Sequence, residues 1–110
     1  MNVSLKKVTI VAERLLKEAL VTLIRDAGAT GHTMLAVEGE GSRGVNASDW
    51  EGRNVQVETI VPPAVADRIL KRIASEYLEN YAVIAYVSDV TVLRKNKFSD
   101  APDSGTTPSE

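Results

Sequence analysis

The chain has no cysteine, so disulfides, thiolate metal sites and cysteine nucleophiles are excluded. Histidine is almost absent as well: His32 stands alone, with no partner at a spacing that would make a metal site or a catalytic dyad. Its expected place is the start of a strand beside a cleft. Aromatic residues are few, one tryptophan, three tyrosines and one phenylalanine. Together with a formal net charge of −2, they leave no stacking platform for RNA and no basic surface that could cover nucleic-acid phosphates. A local basic cluster holding one small anion is still compatible with that balance. No run approaches the roughly 18 apolar residues of a membrane span. Lys6 and Lys7 are not followed by an uninterrupted apolar core with a small-residue cleavage site, so no signal peptide is expected. The expected location is the cytoplasm, with peripheral contact at the inner membrane only through a partner.

What is present describes an ordinary globular domain. The 110 residues, 44% hydrophobic and 25% charged, suffice for one domain and are too few for two. A domain of this size buries only about two-thirds of its unfolded surface, which leaves a role for subunit contacts.

Lys6 to Ala12 is short, β-branched and bounded by charge, as a buried strand is. From Glu13 to Ala27 the residues Leu15, Leu16, Ala19, Leu20, Leu23, Ile24 and Ala27 recur on one helical face, and Gly28 supplies a left-handed stop. A second strand is expected over Thr33 to Glu38. Gly39 to Asn54 then reads as one long polar loop containing Gly39, Gly41, Gly44 and Gly52. Val55, Val57, Thr59 and Val61 alternate with Gln56, Glu58 and Ile60, so this strand should have two different faces. Pro62 and Pro63 end it and suit the first turn of a helix, whose face is predicted as Ala66, Ile69, Leu70, Ile73, Ala74, Tyr77 and Leu78. Ala82 to Val87 is an apolar run of strand length, and Val90 to Leu93 reads as a further short strand. The order predicts an α+β fold, a ferredoxin-like split βαβ (βαββαβ) with both helices on one face of an antiparallel sheet. The opposite face needs covering, which favours a symmetric oligomer. Residues 1–98 are assigned to this domain. Residues 99–110, polar and rich in Pro, Ser and Thr, are expected to be a disordered tail.

The loop carries the chemistry. Gly39 and Gly41 permit close backbone approach and expose N–H groups that can hold an anion. Ser42 adds a hydroxyl and Arg43 a planar fork of donors suited to phosphate. Glu38, Glu40, Asp49 and Glu51 could take a divalent cation together with a nucleoside triphosphate, although loop solubility explains them equally well. Trp50 is a lone aromatic in a polar segment. With Asp49 and Glu51 beside it, the loop tip suits insertion into a partner, while folding back onto the sheet remains the alternative.

Gly31-His32-Thr33 before the second strand and Gly39-Glu40-Gly41 after it resemble the corresponding segments of PII signalling proteins, in which the glycine pair opens a long T-loop. The continuation Ser42-Arg43 is closer to the SbtB branch of PII-like proteins, and Asn80 to Val90 also fits. The resemblance implies a homotrimeric, non-enzymatic sensor of adenine nucleotides (AMP, cyclic AMP, ADP, ATP) with a T-loop over 39–54 and no cofactor. Its implied partner is the bicarbonate transporter SbtA. The nucleotide would lie between subunits. One wall would carry Gly31, Thr33, Gly39, Gly41, Ser42 and Arg43, the other Asn80 to Ile84 including Val83 and Ile84, with Lys95 and Lys97 near the phosphates. Three departures stand out. Asn46 occupies a position often basic in SbtB relatives, leaving Arg53 to serve the phosphate. Val83 replaces a frequent glycine, and the cysteine-containing redox tail of some relatives is missing. A divalent-dependent nucleotide hydrolase and a trimer like the copper-tolerance CutA family are the competing readings.

Overall fold

The computed structural model describes residues 2–38 and 54–93. Strand β1 runs over Asn2–Glu13, one 3-10 turn over Arg14–Leu16 leads into helix α1 at Lys17–Ala27, and β2 follows at Thr33–Val37. Strand β3 spans Asn54–Val61, helix α2 Pro63–Glu76 and β4 Val83–Leu93. The strands form one antiparallel sheet in the order β2-β3-β1-β4. This is the βαββαβ ferredoxin-like topology expected from the pattern of elements.

Both helices lie on one face. Val8, Ile10 and Ala12 of β1 and Val55, Val57 and Val61 of β3 form a continuous core with Leu20, Leu23 and Ile24 of α1 and Ile69 and Ile73 of α2. Val8, Ile10, Leu20, Val57 and Ile69 are wholly buried. Strand alternation puts the odd-numbered residues of β1 on the other side of the sheet. There the register aligns Leu35, Gln56, Val11 and Ile84 in one row and Thr33, Glu58, Thr9 and Tyr86 in the next. Among the described residues no helix covers this face, and Leu35, Ile84 and Tyr86 are exposed on it.

Several boundaries differ from the expectations, each for a physical reason. The first strand begins at Asn2 rather than Lys6, because β4 reaches Leu93 and pairs back as far as Asn2. The two short strands expected at Ala82 to Val87 and Val90 to Leu93 are one. Ser88 and Asp89 do not interrupt it, since they sit opposite Lys7 and Lys6 and Asp89 forms an ion pair with Lys6. Leu15 and Ala19 are exposed; the tighter 3-10 turn before α1 shifts Leu15 off the helical stripe. In α2 the buried set is Val65, Ala66, Ile69 and Ile73. The helix stops at Glu76, so Leu78 falls outside its periodicity and is exposed. Tyr77 packs partly against the core, its ring centroid 5.5 Å from that of Tyr81.

Candidate functional site

The segment that delivers the candidate site leaves α1 through a Schellman turn. Gly28, at φ +122°, donates its N–H to the Arg25 carbonyl at 3.0 Å, and Ala29 donates to Ile24 at 2.9 Å. Only a residue free to take positive φ completes this turn without strain. The chain then crosses Thr30, Gly31 and His32 to enter β2 at Thr33. A groove of about 400 Å³ lies along this crossing, lined by Val21, Ile24, Arg25, Ala29, Thr30, Gly31 and His32. His32 is exposed and precedes the strand rather than beginning it.

Gly31 is tied down from below. The Thr59 hydroxyl on β3 donates to the Gly31 carbonyl at 2.5 Å. Thr33, the first residue of β2, is exposed on the uncovered sheet face, opposite Glu58. Glu58 is itself engaged: Gln56 Nε2 donates to its carboxylate at 2.8 Å, and Lys7 Nζ lies 3.8 Å from it. A polar strip of Lys7, Gln56 and Glu58 therefore borders Thr33 on a face that is otherwise rich in apolar side chains.

The other expected wall lies elsewhere. Tyr77 to Asn80 form a turn after α2, and Ala82 N–H points to Glu13 Oε2 at 3.4 Å. Val83 packs partly on the core, whereas Ile84 is 63% exposed on the uncovered face. Thr33 is on edge strand β2 and Val83 and Ile84 are on the opposite edge strand β4, with β3 and β1 between. Three strand spacings, about 14 Å, therefore separate these two walls within one sheet. Gly39, Gly41, Ser42, Arg43, Asn46, Arg53, Lys95 and Lys97, the loop-tip residues Asp49, Trp50 and Glu51, the tail 99–110 and nearly all of the 39–54 loop lie outside the described residues. Among the described residues no group of three or more His, Asp or Glu side chains could hold a metal ion, and no helix is long and apolar enough to cross a membrane.

Lys7, Glu58 and Thr59 were not singled out from the sequence. Alternation indicates that Glu58 faces away from the core, but its pairing with Lys7 becomes visible only once β1 and β3 are in register. Thr59 reads in sequence simply as a β-branched core position, and its hydrogen bond spans 28 positions of chain.

Against known proteins, the family model for nitrogen regulatory protein P-II matches residues 5–97. A PII-like signalling protein of Thermus thermophilus is similar at 52% identity, over 88% of this chain and 97% of that one, with a TM-score of 0.76. CPII of Thiomonas intermedia, a PII-like protein solved with ADP, AMP and acetate, is 27% identical over 89% of this chain and 97% of its own, with a TM-score of 0.77. The same protein bound to ADP and bicarbonate matches at 26% identity over 86% and 93% of the two chains, with a TM-score of 0.74.

Proposed function

We propose that this chain, which belongs to the nitrogen regulatory protein P-II family, is a sensor that binds adenine nucleotides in clefts between the subunits of a homotrimer. The observation that carries this reading is the separation of the two walls. Thr33 and Ile84 project from opposite edges of one sheet, about 14 Å apart, which supports a site that takes one wall from each of two neighbouring copies. The uncovered face, with Leu35, Ile84 and Tyr86 exposed, is an apolar surface of the kind that symmetric assembly buries. The binding of ADP and AMP by CPII supports the class of ligand.

Within this reading Gly31, Thr33, Gly39, Gly41, Ser42 and Arg43 form one wall, and Val83 and Ile84 belong to the other. Arg53, Lys95 and Lys97 supply positive charge for phosphates, with Asn46 nearby. Nucleotides that contact the base of the 39–54 loop differently stabilise different loop conformations, and a ligand can shift such an equilibrium only by its differential affinity for the two states. Asp49, Trp50 and Glu51 at the loop tip then engage a partner. The partner is the bicarbonate transporter SbtA, which assigns the chain to the SbtB branch and to the sensing of inorganic carbon. The bicarbonate held by CPII alongside ADP is in keeping with a carbon-linked role. Residues 1–98 act as the sensor domain and 99–110 as its tail.

Titration calorimetry with AMP, cyclic AMP, ADP and ATP on the wild type and on Arg43→Ala tests the reading. Saturable heat for the wild type, weakened in the variant and without phosphate release, is the expected result. Absence of heat with all four nucleotides overturns it.

A further inference from the structure

Thr59 is an anomaly in the core. It is 3% exposed, lies opposite Val8 and alternates with Val57 and Val61 on the helix-covered face of β3. Valine would have the same shape there. A hydroxyl in such surroundings is unfavourable unless it is hydrogen-bonded, and its partner is the Gly31 carbonyl, 2.5 Å away. Gly31 makes no use of its own side: a Cβ added there would meet nothing within 4 Å, and Thr30, Gly31 and His32 are all exposed. The crossing is therefore not pinned by packing at Gly31, and the Thr59 hydrogen bond is its buried tie to the sheet.

That tie sets the direction of a peptide plane. The chain has no cis peptide among the described residues, and in a trans peptide the N–H points opposite to the C=O. With the Gly31 carbonyl drawn toward Thr59, the N–H of His32 is turned to the opposite side of the peptide, away from Thr59. It has no backbone partner among the described residues, and the ladder with β3 starts one residue later, at Thr33. An oriented donor with no backbone hydrogen-bond partner among the described residues stands next to the residues already assigned to the nucleotide wall.

We propose that Thr59 is a positioning residue that locks the Gly31–His32 peptide and so presents the His32 main-chain N–H as a donor to an acceptor atom of a bound adenine nucleotide. This rests on the nucleotide reading above and adds to it a binding group that no side chain encodes. The histidine ring is not required, because the donor belongs to the main chain.

The test uses the full chain, with Thr59→Val to remove the hydroxyl at constant shape and Thr59→Ser to keep it. ADP affinity is read by calorimetry, and the His32 amide is followed by proton–nitrogen NMR and hydrogen exchange. The expected results are an affinity for ADP lowered by up to about 10-fold in Thr59→Val, the range of one hydrogen bond, and recovery to within about twofold in Thr59→Ser. In the wild type the His32 amide shifts and gains exchange protection when ADP is added. Wild-type binding with Thr59→Val equally tight, or a wild-type His32 amide indifferent to ADP, overturns this proposal alone. A wild type that binds no nucleotide overturns the parent reading and the use of the donor with it. Should Thr59→Val fail to fold, the wild-type His32 measurement still decides.

Discussion

Arg68 Nε on α2 donates a 3.0 Å hydrogen bond to the carbonyl of Ala27, the last residue of α1. The final carbonyls of a helix lack intrahelical partners, and a guanidinium there satisfies one of them while complementing the negative end of the helix dipole. The bond thereby fastens the end of α1, from which the crossing to β2 departs, to the neighbouring helix. Replacing Arg68 with Met keeps most of the aliphatic stem and removes the donor. The expected loss is about 1–2 kcal/mol of unfolding free energy, measurable by urea denaturation.

Gly28 sits beneath that contact. At φ +122°, an added Cβ would stand 3.1 Å from Val65 Cγ2 and 3.2 Å from Arg68 Nη2. Gly28→Ala therefore combines a strained backbone with crowding against α2, and it should destabilise by about 1–3 kcal/mol. A lowered urea midpoint with an unchanged slope is the expected signature.

Thr9 is wholly buried between Glu58 and Tyr86 on the uncovered sheet face, and its hydroxyl has no hydrogen-bond partner among the described residues. Thr9→Val removes an unpaired polar atom at nearly constant volume. Stability should rise by up to about 1 kcal/mol, seen as a higher melting temperature.

Ile84 and Tyr86, 63% and 49% exposed on that same face, should be covered in the assembled protein. Fully burying a large apolar side chain contributes about 1.5–3 kcal/mol, and a carboxylate in its place would be buried without a partner. Under the proposed homotrimer, Ile84→Asp is expected to shift the species seen by light scattering from trimer to monomer, and an unchanged mass would count against burial of this face. The far-ultraviolet circular dichroism should be unchanged.

Much of the fold was legible in the residue pattern, because the signals are local. A 3.6-residue stripe from Leu16 to Ala27 and an alternation from Val55 to Val61 each report which side of an element is buried. Gly28 and Pro62-Pro63 mark ends through backbone constraints that need no neighbours. Single-residue periodicity failed where the local helix geometry changed, at Leu15 on the 3-10 turn and at Leu78 beyond the end of α2, and where a tertiary partner intervened, at Ser88-Asp89, which pairing with Lys7 and Lys6 keeps inside one strand.

The candidate site divides along the same line. Gly31 and Thr33 were visible as a short pattern before a strand, and the β-branched Thr59 was visible only as a core residue. The sequence by itself determined the order of elements and the inward face of each. The tertiary structure alone decided that Thr33 and Ile84 stand on opposite edges of the sheet, that Lys7 meets Glu58, and that Thr59 holds the carbonyl of Gly31. Each of these depends on strand order and register, and those are set by packing between segments far apart in the chain.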